Sequence, residues 1–133
     1  MAMHRVGGEE YWCLPGGGLE EGETLEDGVL REVAEECNVV GRVLRLTSNL
    51  IEASGVESFT YLVEIGQQEP HLGHDPEVAP DSPILVDLQW LSLNEIPERD
   101  RAFLWQAGLM TVADFFDEVA GWGNDISCPE CIG

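Results

Sequence analysis

The sequence predicts one domain in which β-strands and α-helices are combined. Three observations support this. Apolar runs of strand length recur along the chain, one segment after Gly22 has the spacing and the caps of an α-helix, and 133 residues suffice for one domain with a core but not for two ordinary ones. We expect residues 1–120 to form the domain and residues 121–133, which are rich in glycine and polar groups, to form a C-terminal tail.

Four apolar runs have the length and composition of β-strands. The run from Tyr11 to Leu14 ends at Pro15 and a glycine cluster, which indicates a strand that leads into a tight turn. The other runs are Val43 to Leu50, Ser58 to Ile65 and Ile84 to Leu91. Residues 67–82 are polar and rich in proline, so we expect a surface loop there.

The segment from Leu25 to Cys37 is predicted to be a helix. Thr24 offers a hydroxyl N-cap, with Asp27 three residues further on in the manner of a capping box. Asn38 follows in the position of a left-handed C-cap. Residues four apart form an apolar stripe that faces a core: Leu25, Val29, Val33 and Cys37. Apolar residues keep helical spacing again over 98–119, so one or two further helices close the domain.

The chain is strongly acidic, with 26 Asp and Glu against 6 basic residues, all of them Arg, and a formal net charge of -20. This charge repels nucleic-acid backbones and anionic membrane surfaces, so we expect neither a duplex nucleic acid nor a membrane as a partner. A site for phosphate groups would need metal ions to offset the same repulsion. No apolar run is long enough to span a membrane and the N-terminus lacks the apolar core of a signal peptide, so we expect a cytoplasmic protein.

Four cysteines are present, and in a reducing compartment they do not predict a disulfide framework. Cys13 and Cys37 have the character of small buried residues. Cys128 and Cys131 form a Cys-Pro-Glu-Cys pair, which is half of a zinc site without a matching second pair. Half of a zinc site and a thiol-bearing flexible tail therefore both remain open for this pair.

The predicted helix carries an acidic face. Glu32, Glu35 and Glu36 are three or four residues apart and stand over one another on a helix. Arg31 can pair with Glu35 at i+4, which leaves two carboxylates to be compensated, and a divalent cation is the usual partner of such a group. The alternative is an acidic face that is simply solvated, as is common in an acidic chain.

The spacing of residues from Gly17 to Val39 resembles the signature box of the Nudix hydrolases. The positions that match are Gly17, Glu23, Arg31, Glu32, Val33, Glu35, Glu36 and Val39. Asn38 is the departure, because the family has Gly there; Asn tolerates the same backbone, so we expect some loss of stability and no loss of chemistry. The segment before the box, Trp12-Cys13-Leu14-Pro15-Gly16-Gly17, also resembles the lead-in of the family.

The resemblance implies a Nudix α/β/α sandwich, a mixed β-sheet between helices with a loop-helix-loop catalytic motif. It implies hydrolysis of a nucleoside diphosphate linked to another group X, with Mg²⁺ or Mn²⁺. The metal ligands it implies are Glu32, Glu35, Glu36 and the main-chain carbonyl of Gly16. Glu23 and Arg31 would be a supporting salt bridge that orients the loop and the helix.

The resemblance also implies that a carboxylate accepts the proton of the attacking water. In the family this base is either a Glu of the box or an acid in a later loop. Glu77, with Asp75 second, is the candidate for the later acid or for a further metal ligand. The alternative for Glu77 is a solvated loop carboxylate.

The substrate is less defined by the sequence. No proline lies between Val39 and Pro70, where ADP-ribose members carry one, and the arrays of the NADH and diadenosine polyphosphate types are not matched. By elimination, a nucleoside triphosphate or a nucleotide sugar is expected. A non-catalytic nucleotide-binding or regulatory domain of the same fold is the alternative.

The N-terminal region looks short for the family. Members usually carry a full strand and hairpin ahead of the lead-in, where this chain has eleven residues. A missing strand would leave a sheet edge unpaired, so either the chain is a truncated or early-starting version or a second copy pairs there, and we expect a homodimer.

Overall fold

The computed structural model of the protein describes residues 1–6, 8–73, 84–91, 95–97 and 99–101. The elements in chain order are β1 (Ala2–Val6), β2 (Glu9–Cys13), α1 (Leu25–Cys37), β3 (Arg42–Ile51), β4 (Glu57–Glu64) and β5 (Ile84–Leu88). The chain forms two compact units, residues 1–45 with 61–90 and residues 46–60 with 91–133. All four predicted strands and the predicted helix are confirmed, with small shifts at the strand ends.

The first unit contains a three-stranded sheet in the order β2-β1-β5. β1 lies in the centre and runs antiparallel to both neighbours. Val6 is paired with Glu9, so a two-residue turn joins β1 to β2, and Gly8 in this turn has a φ of 86°, which glycine adopts without strain. β1 is the strand that the apolar pattern missed, because it is short and polar residues interrupt it. The expectation that a strand is missing ahead of the lead-in is therefore wrong.

The pairing of β1 with β5 extends beyond the two strands. The amino group of Met1 donates to the carbonyl of Gln89 at 2.7 Å, and the amide of Gln89 donates to the carbonyl of Met1 at 3.0 Å. The pairing of β1 with β5 is irregular between Met3 and His4. An irregularity of this kind changes the direction in which the following side chain points, and here that side chain is His4.

The helix α1 begins and ends where the sequence predicts. The hydroxyl of Thr24 accepts a hydrogen bond from the amide of Asp27 at 3.1 Å. Asn38 adopts the left-handed conformation, with φ 54° and ψ 38°, and its amide donates to Ala34. Gly28 lies inside the helix because a Cβ there would come within 2.6 Å of Leu19, in the loop that precedes α1. A side chain at position 28 would therefore require the exposed Leu19 side chain to shift.

The strands β3 and β4 form a two-stranded sheet. The turn between them is closed by hydrogen bonds from the amide of Glu52 to Val56 and from the amide of Gly55 to Glu52, both at 2.8 Å. Gly55 has a φ of 87°, a conformation that favours glycine. Along the strands, the hydroxyl of Thr47 donates to the carbonyl of Thr60 at 3.0 Å.

The core of the first unit, within the described residues, contains Ala2, Trp12, Cys37 and Val39. In the second unit Ile96 and Asp100 are almost fully buried, and residues 99–101 are helical, at the start of the region where a helix is predicted. The rest of the predicted helical region lies outside the described residues. The same is true of Asp75, Glu77, Cys128 and Cys131. No helix in the described part of the chain has the length and apolar character needed to cross a membrane.

Candidate active site

The loop before α1 packs closely against the helix. A Cβ on Gly17 would lie 2.3 Å from Oε1 of Glu32, so a residue with a side chain would displace this carboxylate. The loop is folded by two hydrogen bonds, from the amide of Glu23 to the carbonyl of Glu20 at 3.1 Å and from the amide of Glu20 to Oε1 of Glu23 at 3.2 Å. The glycine at position 17 therefore allows main chain and carboxylate to approach each other.

Arg31 joins this loop to the helix. Its Nε donates to Oε2 of Glu23 at 2.8 Å and its Nη2 donates to Oε1 of the same carboxylate at 3.0 Å, which is a bidentate pair. Nη2 also donates to the carbonyl of Gly18 at 2.9 Å. The hydrogen bond to Glu23 is the main cause that raises the pKa of Arg31, and the same bond lowers the pKa of Glu23. The structure thus brings together the two residues expected to form a supporting salt bridge.

The third guanidinium nitrogen of Arg31 holds two of the three clustered carboxylates. Nη1 donates to Oε1 of Glu32 at 3.0 Å and to Oε2 of Glu35 at 3.1 Å. The second contact is the i, i+4 pair that the sequence predicts. Burial is the largest cause that raises the pKa of Glu32, and the contact with Arg31 opposes it. Two carboxylates therefore share one permanent cation.

Glu36 lies in a different environment. The residue is only 3% exposed, although the helical pattern groups it with an acidic face. Its Oε2 accepts a hydrogen bond from the amide of Gly16 at 3.3 Å, and its Oε1 lies 3.8 Å from Nε2 of His4. Glu36 precedes the buried Cys37 on the helix, and His4 of the β1–β2 hairpin lies next to its carboxylate. These tertiary contacts shield Glu36 from solvent.

His4 and Cys13 are the residues near the site that the sequence pattern missed. Sγ of Cys13 lies 2.9 Å from Nδ1 of His4. The pKa of His4 is raised to about 10, first by this hydrogen bond and then by the contact with Glu36. Cys13 is half-buried and its thiol is in contact with a polar partner, whereas Cys37 is buried as expected. The Gly7-Gly8 dipeptide could have predicted the hairpin that carries both residues, because such a pair between short extended segments is typical of a hairpin.

The C-terminal end of α1 is capped by residues 71–73. The amide of His71 donates to the carbonyl of Cys37 and the amide of Gly73 donates to the carbonyl of Glu36, both at 2.9 Å. The side-chain amide of Asn38 donates to the carbonyl of His71 at 3.1 Å. These bonds satisfy helix carbonyls that have no partner within the helix. They also attach the start of the 67–82 loop to the end of the helix that carries Glu36.

The donor chemistry of this region fits a hard divalent cation, because carboxylate and peptide oxygens are the ligands that Mg²⁺ prefers. Gly17 adds a second sign of fit, since it brings the glycine loop next to the carboxylate of Glu32. Within the described residues, however, no three His, Cys, Asp or Glu side chains are already arranged to hold a metal ion. The carboxylates of Glu32 and Glu35 are engaged with Arg31 instead.

A family model described as NUDIX domain matches residues 2–111. The chain is 32% identical over 109 residues to an RNA pyrophosphohydrolase of Zymomonas mobilis, covering 71% of this chain and 70% of that protein. It is 31% identical over 97 residues to putative nudix hydrolase 1 of Caenorhabditis elegans, covering 70% of this chain and 25% of that protein. It is 28% identical over 113 residues to putative mutator protein MutT4 of Mycobacterium tuberculosis, covering 80% of this chain and 42% of that protein.

The chain therefore spans only a quarter of the length of the nematode relative and less than half of the mycobacterial one. No solved structure matches the chain with comparable significance.

Proposed function

We propose that this chain, which belongs to the Nudix family, hydrolyses the pyrophosphate linkage of a nucleoside diphosphate joined to a further group X. The observation that best supports this is the convergence of box positions on Arg31. This one side chain contacts Glu23, Glu32 and Glu35 as well as the glycine loop. Residues that are far apart in the box therefore meet at one place, as a common function would require.

In this proposal Mg²⁺ or Mn²⁺ is held by Glu32, Glu35, Glu36 and the carbonyl of Gly16. The bound cation would neutralise pyrophosphate oxygens and lower the pKa of a water molecule. Each of these carboxylates uses one oxygen toward Nη1 of Arg31, which leaves Oε2 of Glu32 and Oε1 of Glu35 available to a cation. The bonds of Arg31 to Glu23 and to the carbonyl of Gly18 keep the loop on the helix.

The proton of the attacking water is accepted by a carboxylate in this proposal. A Glu of the box and Glu77 of the following loop are the two candidates. Gly73, which precedes Glu77 by four residues in the sequence, donates to the carbonyl of Glu36 at the end of α1. Glutamine variants of Glu35 and Glu77 would separate the two candidates by their pH profiles.

For the substrate we propose a nucleoside triphosphate or a nucleotide sugar. The net charge of -20 favours a small substrate whose phosphates are screened by cations over a long RNA, which carries many uncompensated phosphates. One relative is an RNA pyrophosphohydrolase, so an RNA with a 5′-pyrophosphate group belongs in the substrate panel as a competitor. We expect turnover of the small nucleotides to exceed turnover of that RNA.

The decisive experiment is release of nucleoside monophosphate from a nucleotide panel with Mg²⁺ and with Mn²⁺. We expect hydrolysis by the unmodified chain and its loss in Glu36→Gln. Glu26→Gln is the matched control, because Glu26 is exposed in the first turn of the same helix, outside the proposed site. Absence of turnover across the panel, with the protein folded, would refute the hydrolase proposal.

A non-catalytic nucleotide-binding or regulatory domain is the alternative function. It predicts saturable nucleotide binding by calorimetry without product release, and that result would replace hydrolysis as the function. The presence of all three carboxylates, Glu32, Glu35 and Glu36, favours hydrolysis, because a binding domain does not need three clustered carboxylates.

We also propose a cytoplasmic homodimer, although β1 supplies the strand whose expected absence suggested the dimer. A monomeric mass by light scattering at micromolar concentration would contradict the dimer.

A further inference from the structure

The three carboxylates of the proposed cation site differ in how deeply they lie. The side chain of Glu36 is 4% exposed, against 12% for Glu32 and 27% for Glu35. A buried carboxylate requires hydrogen-bonding partners, since water cannot supply them. In the described residues, the amide of Gly16 donates to Oε2 of Glu36, and Nε2 of His4 lies 3.8 Å from Oε1, which is the distance of an ion pair.

His4 is held against Glu36 by the hairpin. His4 is paired with Tyr11 across β1 and β2, and Ala2 is paired with Cys13. Cys13 is therefore the diagonal neighbour of His4 on the same face of the hairpin. Its thiol contacts Nδ1 of His4 at 2.9 Å, which fixes the orientation of the ring. The other ring nitrogen, Nε2, lies 3.8 Å from Oε1 of Glu36.

We propose that His4 is a positioning residue, which fixes the carboxylate of Glu36 in the orientation that cation binding requires. The inference rests on the proposed function, because it assumes that Glu36 is a cation ligand. Two groups approach the carboxylate from two sides: the amide of Gly16 donates to Oε2, and Nε2 of His4 lies at ion-pair distance from Oε1. Each carboxylate oxygen has further lone-pair sites that remain available to a cation. Partners of this kind orient ligating carboxylates in many metal sites.

Two substitutions at this position separate orientation from folding. His4→Gln places an amide near the position of Nε2 and can still donate to Glu36, whereas His4→Asn is shorter and reaches only toward Cys13. We expect His4→Asn to weaken Mn²⁺ binding by about 10- to 100-fold and His4→Gln to restore most of the affinity. Calorimetry and Mn²⁺ electron paramagnetic resonance measure this without substrate. His71→Asn, in an exposed loop residue, is the matched control and should bind Mn²⁺ like the unmodified chain.

A double-mutant cycle tests whether His4 acts through Glu36. If it does, His4→Asn causes no further loss of Mn²⁺ affinity in a Glu36→Gln background. An equal loss in both backgrounds would mean that His4 acts elsewhere and would overturn the inference. Unchanged or tighter Mn²⁺ binding by His4→Asn would also overturn it. Thermal unfolding of the metal-free variants verifies that both position 4 substitutions are folded.

Failure of this inference can be distinguished from failure of the proposed function. If the unmodified chain binds Mn²⁺ and hydrolyses nucleotides while His4→Asn binds Mn²⁺ equally well, only the role of His4 is wrong. If the unmodified chain neither binds Mn²⁺ nor hydrolyses any nucleotide, the proposed function and the role of His4 are both wrong.

Discussion

The acidic cluster has two sides that are chemically alike and physically different. Glu32 and Glu35 are partly accessible and share Nη1 of Arg31. Glu36 is buried and is held by one main-chain amide and a histidine. Arg31 compensates the charge of the first pair only in part, because its guanidinium also pairs with Glu23, but this side can contribute to folding without metal. On the buried side, the amide of Gly16 and the ring of His4 surround the single carboxylate of Glu36. We therefore expect Glu36 to contribute mainly to cation binding and less to the stability of the metal-free protein.

Glu36→Gln should have the largest effect on nucleotide hydrolysis. A small effect would mean that the two sides of the cluster do not differ in function. Because a neutral amide is a poor ligand for a hard cation, we expect nucleotide hydrolysis to fall by at least about 100-fold. The free energy of unfolding of the metal-free protein should fall only modestly, because the glutamine amide can still accept from Gly16 while His4, left without its acidic partner, can release its proton. Steady-state kinetics and chemical denaturation measure the two quantities. A strongly destabilised but active variant would assign the opposite role to this side.

Arg31→Gln tests the other side. It removes the bidentate bond to Glu23 and leaves Glu32 and Glu35 without their shared cation, so we expect the metal-free protein to lose roughly 2 kcal/mol of stability. Added Mg²⁺ should recover part of the loss, because it can compensate the freed carboxylates. Arg31→Lys should recover less than half, since lysine lacks the planar fork. Denaturation midpoints with and without Mg²⁺ provide the measurement, and equal stability of Arg31→Gln and the unmodified chain would contradict it.

Gly17→Ala perturbs the boundary between the two sides. The new Cβ would lie 2.3 Å from Oε1 of Glu32, so this flexible carboxylate has to move. We expect hydrolysis to fall by about tenfold, which corresponds to 1.4 kcal/mol, with little change in thermal stability. Gly18→Ala is the matched control, because a Cβ there meets nothing within 4 Å. Equal activity of the two alanine variants would show that the close approach at Gly17 has no role.

Asn38 should give the smallest effect. Glycine is the more favourable residue at a φ of 54°, but Asn38→Gly also loses the hydrogen bond from its side chain to the carbonyl of His71. We expect the two effects to cancel to within about 0.5 kcal/mol. Asn38→Ala loses the bond and strains the backbone, so it should cost about 1 kcal/mol. Thermal unfolding compares the three proteins, and a clear gain for Asn38→Gly would mean that the bond to His71 contributes nothing.

The fold class and family that the sequence predicted, a MutT-like Nudix sandwich, are confirmed by the family match over residues 2–111. The helix is confirmed with both caps, since Thr24 and Asn38 act through bonds to residues three or four positions away. β1 was missed because its pairing partners, not its own composition, make it a strand. The roles of Glu23, Arg31 and the three carboxylates stay predictions, as does that of Glu77.

The helix, its caps and the grouping of the acidic residues could be predicted from the sequence, because they depend on hydrogen bonds and spacing within about four residues. The burial of each carboxylate and the cationic side chain that it faces depend on tertiary contacts. Arg31 could have paired with Glu35 alone, yet the folded loop adds Glu23 and the carbonyl of Gly18. The sequence spacing places Glu36 on the same helix face as Glu32 and Glu35. The hairpin, however, places His4, which is distant in the sequence, next to Glu36. Contacts between distant segments depend on how the backbone folds, and local spacing does not specify them.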